Sequence, residues 1–156
     1  MSRLQLALNV ADIDEAISFY SRLFATEPAK VRPGYANFAV ADPPLKLVLI
    51  EDAARIPGSL NHLGIEVESS EAVGMAATRL AETGLPIAVE EQVSCCYAEQ
   101  DKVWVDGPGG SPWEVYAVLK DADAAVGGIR PAGPSGAACC ASRPDSDASG
   151  SASSCC

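Results

Sequence analysis

The feature that most limits what this chain can fold into is that it repeats itself. Gln5-Leu6-Ala7-Leu8-Asn9-Val10 aligns without a gap on His62-Leu63-Gly64-Ile65-Glu66-Val67, and Pro44-Leu45-Lys46 aligns on Pro112-Trp113-Glu114. Such repetition points to two copies of one supersecondary unit packed against each other. The first copy opens with a predicted strand at Arg3–Val10, where Leu4, Leu6, Leu8 and Val10 alternate with Gln5, Ala7 and Asn9. A helix follows, opened by Asp12 or Asp14, with Ile13, Ala16, Ile17, Tyr20, Leu23 and Phe24 on one face. Short strands are expected near Ala29–Arg32, Tyr35–Val40 and Leu45–Ile50. The second copy runs in the same order: a strand at Asn61–Glu68, a helix at Glu71–Thr83 stopped by Gly84 and Pro86, and strands near Ile87–Glu91, Lys102–Val105 and Trp113–Leu119. The fold class that follows is α+β, two βαβββ modules spanning about residues 3–51 and 60–119 of a domain covering 1–120.

The copies are not equal in length. Gln5 to His62 is a step of 57 and Lys46 to Glu114 a step of 68, so the second module carries 11 more residues. They fall between Gly84 and Trp104, which is where Cys95-Cys96 lies, and are expected to form an inserted loop that carries chemistry. From Asp121 to Cys156 periodicity is lost and Ala, Gly, Ser, Pro and Asp dominate, the composition of a disordered tail.

Charge and cysteine usage narrow the function classes. A net charge of −10 with no basic stripe argues against nucleic-acid or anionic-membrane partners. No signal-peptide pattern and no run of ~20 apolar residues is present, so a cytoplasmic protein is expected. In a reducing compartment the six cysteines are unlike a disulfide framework. They occur only as neighbours: Cys95-Cys96, Cys139-Cys140 and Cys155-Cys156. Adjacent Cα atoms sit ~3.8 Å apart, below the 4.4–6.8 Å of ordinary disulfides. Adjacent thiols suit soft ions better than they suit each other.

The one histidine, His62, begins the first strand of the second module, and Gln5 holds the matching place in the first. Glu114 lies early on the last strand. If the modules pack as pseudo-twofold partners, imidazole, carboxylate and carboxamide can form one face of an octahedron with neighbouring positions open. Lys46 stands where a second carboxylate would be, so one metal per chain is expected. The donor set alone leaves iron, manganese, cobalt and zinc open, and Gln5 could equally be an ordinary strand residue and Glu114 an exposed charge.

These residues carry a resemblance. The paired modules, the Gln5/His62/Glu114 set and Asp106-Gly-Pro-Gly-Gly-Ser-Pro-Trp-Glu-Val-Tyr116 resemble the glyoxalase/bleomycin-resistance/extradiol-dioxygenase (vicinal oxygen chelate) superfamily. Within it, Gly34–Phe38, Pro44–Val48, Cys95-Cys96-Tyr97 and Gln100–Trp104 are similar to organoarsenical carbon–arsenic lyases and their cadmium-inducible relatives. The resemblance covers residues 2–119. It implies Fe(II) on Gln5, His62 and Glu114, dioxygen as cosubstrate, and methylarsenite and trivalent aromatic arsenicals as substrates anchored by Cys95 and Cys96. Tyr97, Lys102 and Trp104 are given no firm role: they could shape the pocket, but Tyr97 reads equally as a loop anchor, and Trp104 and Trp113 read better as core residues. Two rivals stay open: a cadmium- or arsenite-sequestering protein, and another extradiol or glyoxalase reaction. Modules of this type pair within one chain or swap between chains, so a homodimer is compatible with the sequence.

Overall fold

A strand that alternates leucines with Gln5, Ala7 and Asn9 has two chemically different faces. The computed structural model describes residues 2–95 and 97–122 and uses both. Its elements are β1 (Arg3–Val10), α1 (Ile13–Phe24), β2 (Lys30–Arg32), β3 (Tyr35–Val40), β4 (Leu45–Glu51), β5 (Leu60–Glu66), α2 (Ser70–Glu82), β6 (Ile87–Cys95), β7 (Ala98–Asp106) and β8 (Pro112–Asp121). The βαβββ order therefore occurs twice. The eight strands form one mixed sheet in the order β2-β3-β4-β1-β5-β8-β7-β6. The modules meet along β1 and β5, which are antiparallel, with Gln5 opposite Gly64 and Ala7 opposite His62. Within one chain, then, the two halves already complete each other.

Local chemistry starts and stops both helices. The Asp12 carboxylate accepts from the Glu15 N–H at 2.8 Å, and the Ser69 hydroxyl accepts from Ala72 at 3.2 Å. Each satisfies one donor that a first helical turn leaves over. Gly84 takes the left-handed conformation (φ 76) expected after α2. Ile13, Ile17, Tyr20 and Phe24 of α1 pack over Phe38, Leu47 and Leu49. Val73, Ala76, Ala77 and Leu80 of α2 pack over Val103, Val115 and Ala117. Burial of large apolar side chains contributes about 1.5–3 kcal/mol each, which fixes the helices to one side of the sheet. The other side is left to Gln5, Asn9, His62, Lys102 and Glu114, all buried.

The extra residues of the second module do not form the expected loop. They lengthen the outer hairpin: β6 and β7 have 9 residues each, against 3 and 6 in β2 and β3. Pairing continues until Cys95 lies opposite Ala98. A ladder satisfies backbone groups that a loop would leave to water. The irregular count is absorbed by a bulge between Glu90 and Val93, where Gln92 has φ 52 and donates its N–H to Asp101 at 2.7 Å. The hairpin tip reaches the edge of the first module. Tyr97 packs its ring 5.5 Å from that of Tyr35, under the Arg32 guanidinium, and its carbonyl accepts from Lys30 at 3.1 Å. The sheet thereby curls into a half-barrel. Cys96 and the segment containing Cys139, Cys140, Cys155 and Cys156, expected to be disordered, lie outside the described residues. No helix among the described residues is long and apolar enough to cross a membrane.

Candidate functional site

The concave face encloses a cavity of about 210 Å³. That is below the ~300–1,000 Å³ of drug-sized ligand pockets and suits a small molecule. Period-two geometry delivers Gln5 from β1, His62 from β5 and Glu114 from β8 to its wall, with Cys95, Lys102 and Trp104 from the long hairpin.

The first three converge. Gln5 Nε2 donates to Glu114 Oε1 at 2.8 Å and lies 3.0 Å from His62 Nε2, which is itself 3.4 Å from Glu114 Oε1. Gly64 makes this possible. It stands opposite Gln5 on one side and Glu114 on the other. A Cβ there would lie 3.1 Å from Gln5 Cβ and Nε2 and 3.2 Å from Glu114 Cγ. A side chain there would press on both and push them by a few tenths of an ångström.

Surrounding groups orient the ring and the carboxylate. Asn61 Oδ1, a pure acceptor, lies 2.8 Å from His62 Nδ1, so Nδ1 carries a proton and Nε2 is turned to Gln5 and Glu114. Asn61 is held by Asn9 (2.8 Å), and Asn9 by the Ser59 hydroxyl (2.9 Å). The Trp104 ring meets the imidazole edge-on at 5.6 Å. Burial pushes the Glu114 carboxyl up, but Lys102, 3.1 Å from Oε2, and His62 outweigh it and hold the group well below the usual carboxylate range. It is ionised, with Oε1 directed at the histidine.

Whether these residues suit a metal is a question of donor chemistry. Among the described residues no three His, Cys, Asp or Glu side chains are grouped to hold one, so a carboxamide must complete any set. A neutral imidazole nitrogen, a carboxylate and a carboxamide on neighbouring strands fit a divalent first-row ion that keeps further positions open. The carboxamide enters with its nitrogen toward the other two and its oxygen toward Tyr116.

Beside this set lies a second polar group. The Tyr116 hydroxyl is 2.6 Å from Gln5 Oε1 and 2.9 Å from Glu66 Oε2. Arg3 clamps Glu66 through two bonds of 3.1 Å, and Lys46 sits 3.4 Å from the same carboxylate and 4.9 Å over the Tyr116 ring. Burial lowers the Lys46 pKa against the pull of Glu66 and Glu114, and raises that of Tyr116. Burial raises the Glu66 carboxyl, but Arg3 and Lys46 bring it below its ordinary value. Lys46 stands directly opposite Gln5, whereas Glu114 stands opposite Gly64, two residues beyond His62. The modules thus match in local sequence while their strand registers differ by one step on the same face.

Cys95, buried at the end of β6, is on the same cavity as the triad, and Cys96 lies outside the described residues. Lys102 and Trp104 line the cavity, Trp104 being buried as a core residue would be as well, and Tyr97 anchors the hairpin tip. The sequence does not single out Asn61, Glu66, Tyr116 or Gln100, the last of which lines the cavity and donates to the Cys95 carbonyl at 3.3 Å. Tyr116 was legible, because two residues after Glu114 on a strand means the same face. Asn61 and Glu66 required the sheet register.

A model of the Glyoxalase/Bleomycin resistance protein/Dioxygenase superfamily matches residues 3–115. The chain is 65% identical over 123 residues to a trivalent organoarsenical cleaving enzyme of Thermomonospora curvata, covering 79% of this chain and 82% of that one. It is 60% identical over 130 residues to the cadmium-induced protein CadI of Mycobacterium tuberculosis, covering 83% and 85%. Among solved structures, the 2,3-dioxygenase LapB of Pseudomonas sp. KL28 superposes with a TM-score of 0.59 at 17% identity, over 78% of this chain and 42% of that one, a likeness of fold. With that domain model and relatives of this identity along most of their length, the chain belongs to the glyoxalase/bleomycin resistance/dioxygenase superfamily, in the branch of the organoarsenical cleaving enzymes and cadmium-induced proteins.

Proposed function

We propose that the protein cleaves the carbon–arsenic bond of trivalent organoarsenicals, with Fe(II) held by Gln5, His62 and Glu114, dioxygen as cosubstrate, and Cys95 and Cys96 as the arsenic anchor. The observation that carries this is the convergence of those three side chains on the cavity that also takes Cys95. The 65% identity to an enzyme named for this cleavage supports the substrate class.

Each residue has a task its chemistry fits. A monomethyl trivalent arsenical has two exchangeable hydroxyls, so two thiolates satisfy its arsenic and leave the methyl group projecting. Inorganic arsenite has three and would keep one unsatisfied. The product therefore binds less completely than the substrate. His62, Glu114 and Gln5 would hold the iron, which when bound supplies the capacity to activate dioxygen. Trp104, buried and edge-on to the His62 ring, forms part of the cavity wall. Anchoring arsenic at Cys95 and Cys96 and iron at the triad brings the reacting groups into one small volume, which lowers the entropic part of the barrier. Overall, methylarsenite and one dioxygen become arsenite and formaldehyde. Arsenic stays trivalent, the methyl carbon gives up four electrons and the two oxygen atoms accept them, so no separate reductant is needed.

The deciding experiment is anaerobic Fe(II) loading, then methylarsenite with and without oxygen, followed by arsenic speciation. One arsenite and one formaldehyde per substrate, only with iron, oxygen and both thiols present, is the expected result. Methylarsenite retained unchanged under all conditions would mean a binding protein on an enzyme-like fold. Activity that survives Cys95→Ser and Cys96→Ser would remove the anchoring role.

A further inference from the structure

We propose that Tyr116 and Glu66 are positioning residues that decide which end of the Gln5 carboxamide faces His62 and Glu114. The inference rests on the metal-ligand role given to those three residues above.

The argument begins with hydrogen counting. A phenol has one hydrogen to donate. Tyr116 nevertheless faces two acceptors, Gln5 Oε1 at 2.6 Å and Glu66 Oε2 at 2.9 Å, and can serve only one of them. On its other side Gln5 places Nε2, a donor, against His62 Nε2 and Glu114 Oε1. That arrangement satisfies the carboxamide within the protein, but it aims a nitrogen with no free lone pair at the place a cation would occupy.

A half-turn of the carboxamide resolves both conflicts. Its two ends are nearly the same size, so the turn needs no new space. Oε1 then faces His62 and Glu114, as a ligand must. Nε2 faces the Tyr116 oxygen and donates to it, and the Tyr116 hydrogen goes to Glu66. The Nε2 hydrogen that faces Tyr116 and the Tyr116 hydrogen then each have one acceptor, and a cation between Oε1 and Glu114 takes the place of the hydrogen bond they lose. Glu66 is suited to receive that hydrogen because Arg3 grips it with two bonds and keeps it ionised. Arg3 and Glu66 face each other across β1 and β5, so the relay is anchored in the seam where the modules meet. Metal ligands are commonly oriented by such outer hydrogen bonds, whose loss costs about 10–100-fold in metal affinity.

The test is metal binding, with no turnover required. Fe(II) is titrated anaerobically by calorimetry, and Co(II) by its visible absorption, into the wild type, His62→Ala, Tyr116→Phe, Gln5→Glu and the Gln5→Glu/Tyr116→Phe double variant. In Tyr116→Phe the affinity for both ions should fall about 10–100-fold and the Co(II) spectrum should change. Gln5→Glu makes both ends of the side chain oxygen, so orientation ceases to matter. In that background Tyr116→Phe should leave affinity unchanged, an outcome a merely structural tyrosine would not give. Should Tyr116→Phe fail to fold by circular dichroism, Glu66→Ala carries the same expectation, since the Tyr116 hydrogen then returns to Gln5 Oε1. Wild-type affinity in Tyr116→Phe, alongside loss of metal in His62→Ala, overturns the relay and leaves the ligand set standing. An equal loss in both backgrounds overturns it too. Full metal binding in His62→Ala instead removes the ligand set and the relay together.

Discussion

The two modules share a fold plan and divide the labour unequally. The first, β1 to β4, has the aromatic-rich core of Phe38, Tyr20 and Phe24 and contributes Gln5 alone to the convergent triad. The second, β5 to β8, has no aromatic side chain in the cluster under its helix and buries Trp104 and Tyr116 on the cavity side of the sheet. It contributes His62 and Glu114, and its long hairpin brings Cys95, Lys102 and Trp104 to the cavity. Lys46, opposite Gln5, faces the cavity with a positive charge where the second module offers a carboxylate. A duplicated unit can thus keep one copy as scaffold and closing wall and let the other diverge into chemistry, at the level of two or three side chains.

The largest test of that division is His62→Ala. If the second module carries the metal, the variant should lose at least about 100-fold in Fe(II) affinity, the upper end of what outer hydrogen bonds alone are worth. It should still bind a trivalent arsenical through its thiols. Calorimetry with each ligand checks both. Retention of iron would break the comparison, because His62 would then be no ligand.

The scaffold role of the first module is tested by Phe38→Ala. Phe38 is fully buried between α1 and the sheet. Its truncation should cost about 3–5 kcal/mol, while Val103→Ala, at the same depth under α2, removes fewer atoms and should cost less. Chemical denaturation of the metal-free protein reads both. Equal losses would mean that the two cores are equally stiff.

How much of this was legible in the sequence depends on range. The repeat, both helices and the existence and order of the strands follow from periodicity and from Asp12, Gly84 and Pro86, all of which act within a few residues. Gln5, His62 and Glu114 could be singled out by their places in the repeat. The hairpin was misread as a loop because Glu90 to Gln92 breaks strict alternation, and the bulge that repairs it is stabilised by Asp101 on the partner strand. The roles of Asn61, Glu66 and Tyr116 depend on register across β1, β5 and β8, which no local pattern encodes.

Acid should expose the charge asymmetry next. Glu114 and Glu66 both titrate below the ordinary 4.5 in the folded chain. An unfolded carboxyl takes up its proton near 4.5 and the folded one only at lower pH. Between those two points the unfolded chain binds more protons, so stability is intact above 4.5 and declines as pH falls below it. Melting temperatures of the metal-free protein from about pH 6 down to 3 should fall, and Glu114→Gln should flatten part of the decline. A slope unchanged in that variant would assign the effect to Glu66.

The smallest difference concerns how the helices begin. Asp12 accepts from Glu15 at 2.8 Å with a full charge, and the Ile13 N–H is taken by Glu51 at 2.9 Å, tying the start of α1 to the end of β4. Ser69 offers α2 a neutral oxygen at 3.2 Å. A carboxylate also interacts with the positive end of the helix dipole, which a hydroxyl does not. Removing either cap should cost about 0.5–2 kcal/mol, with Asp12→Ala toward the upper end and Ser69→Ala toward the lower. Raising the salt concentration should shrink the first loss and leave the second alone, since only the first contains a screened charge. If both losses were equal and salt-independent, the tighter start of α1 would owe nothing to charge, and the stiffness of the first module would rest on its aromatic core alone.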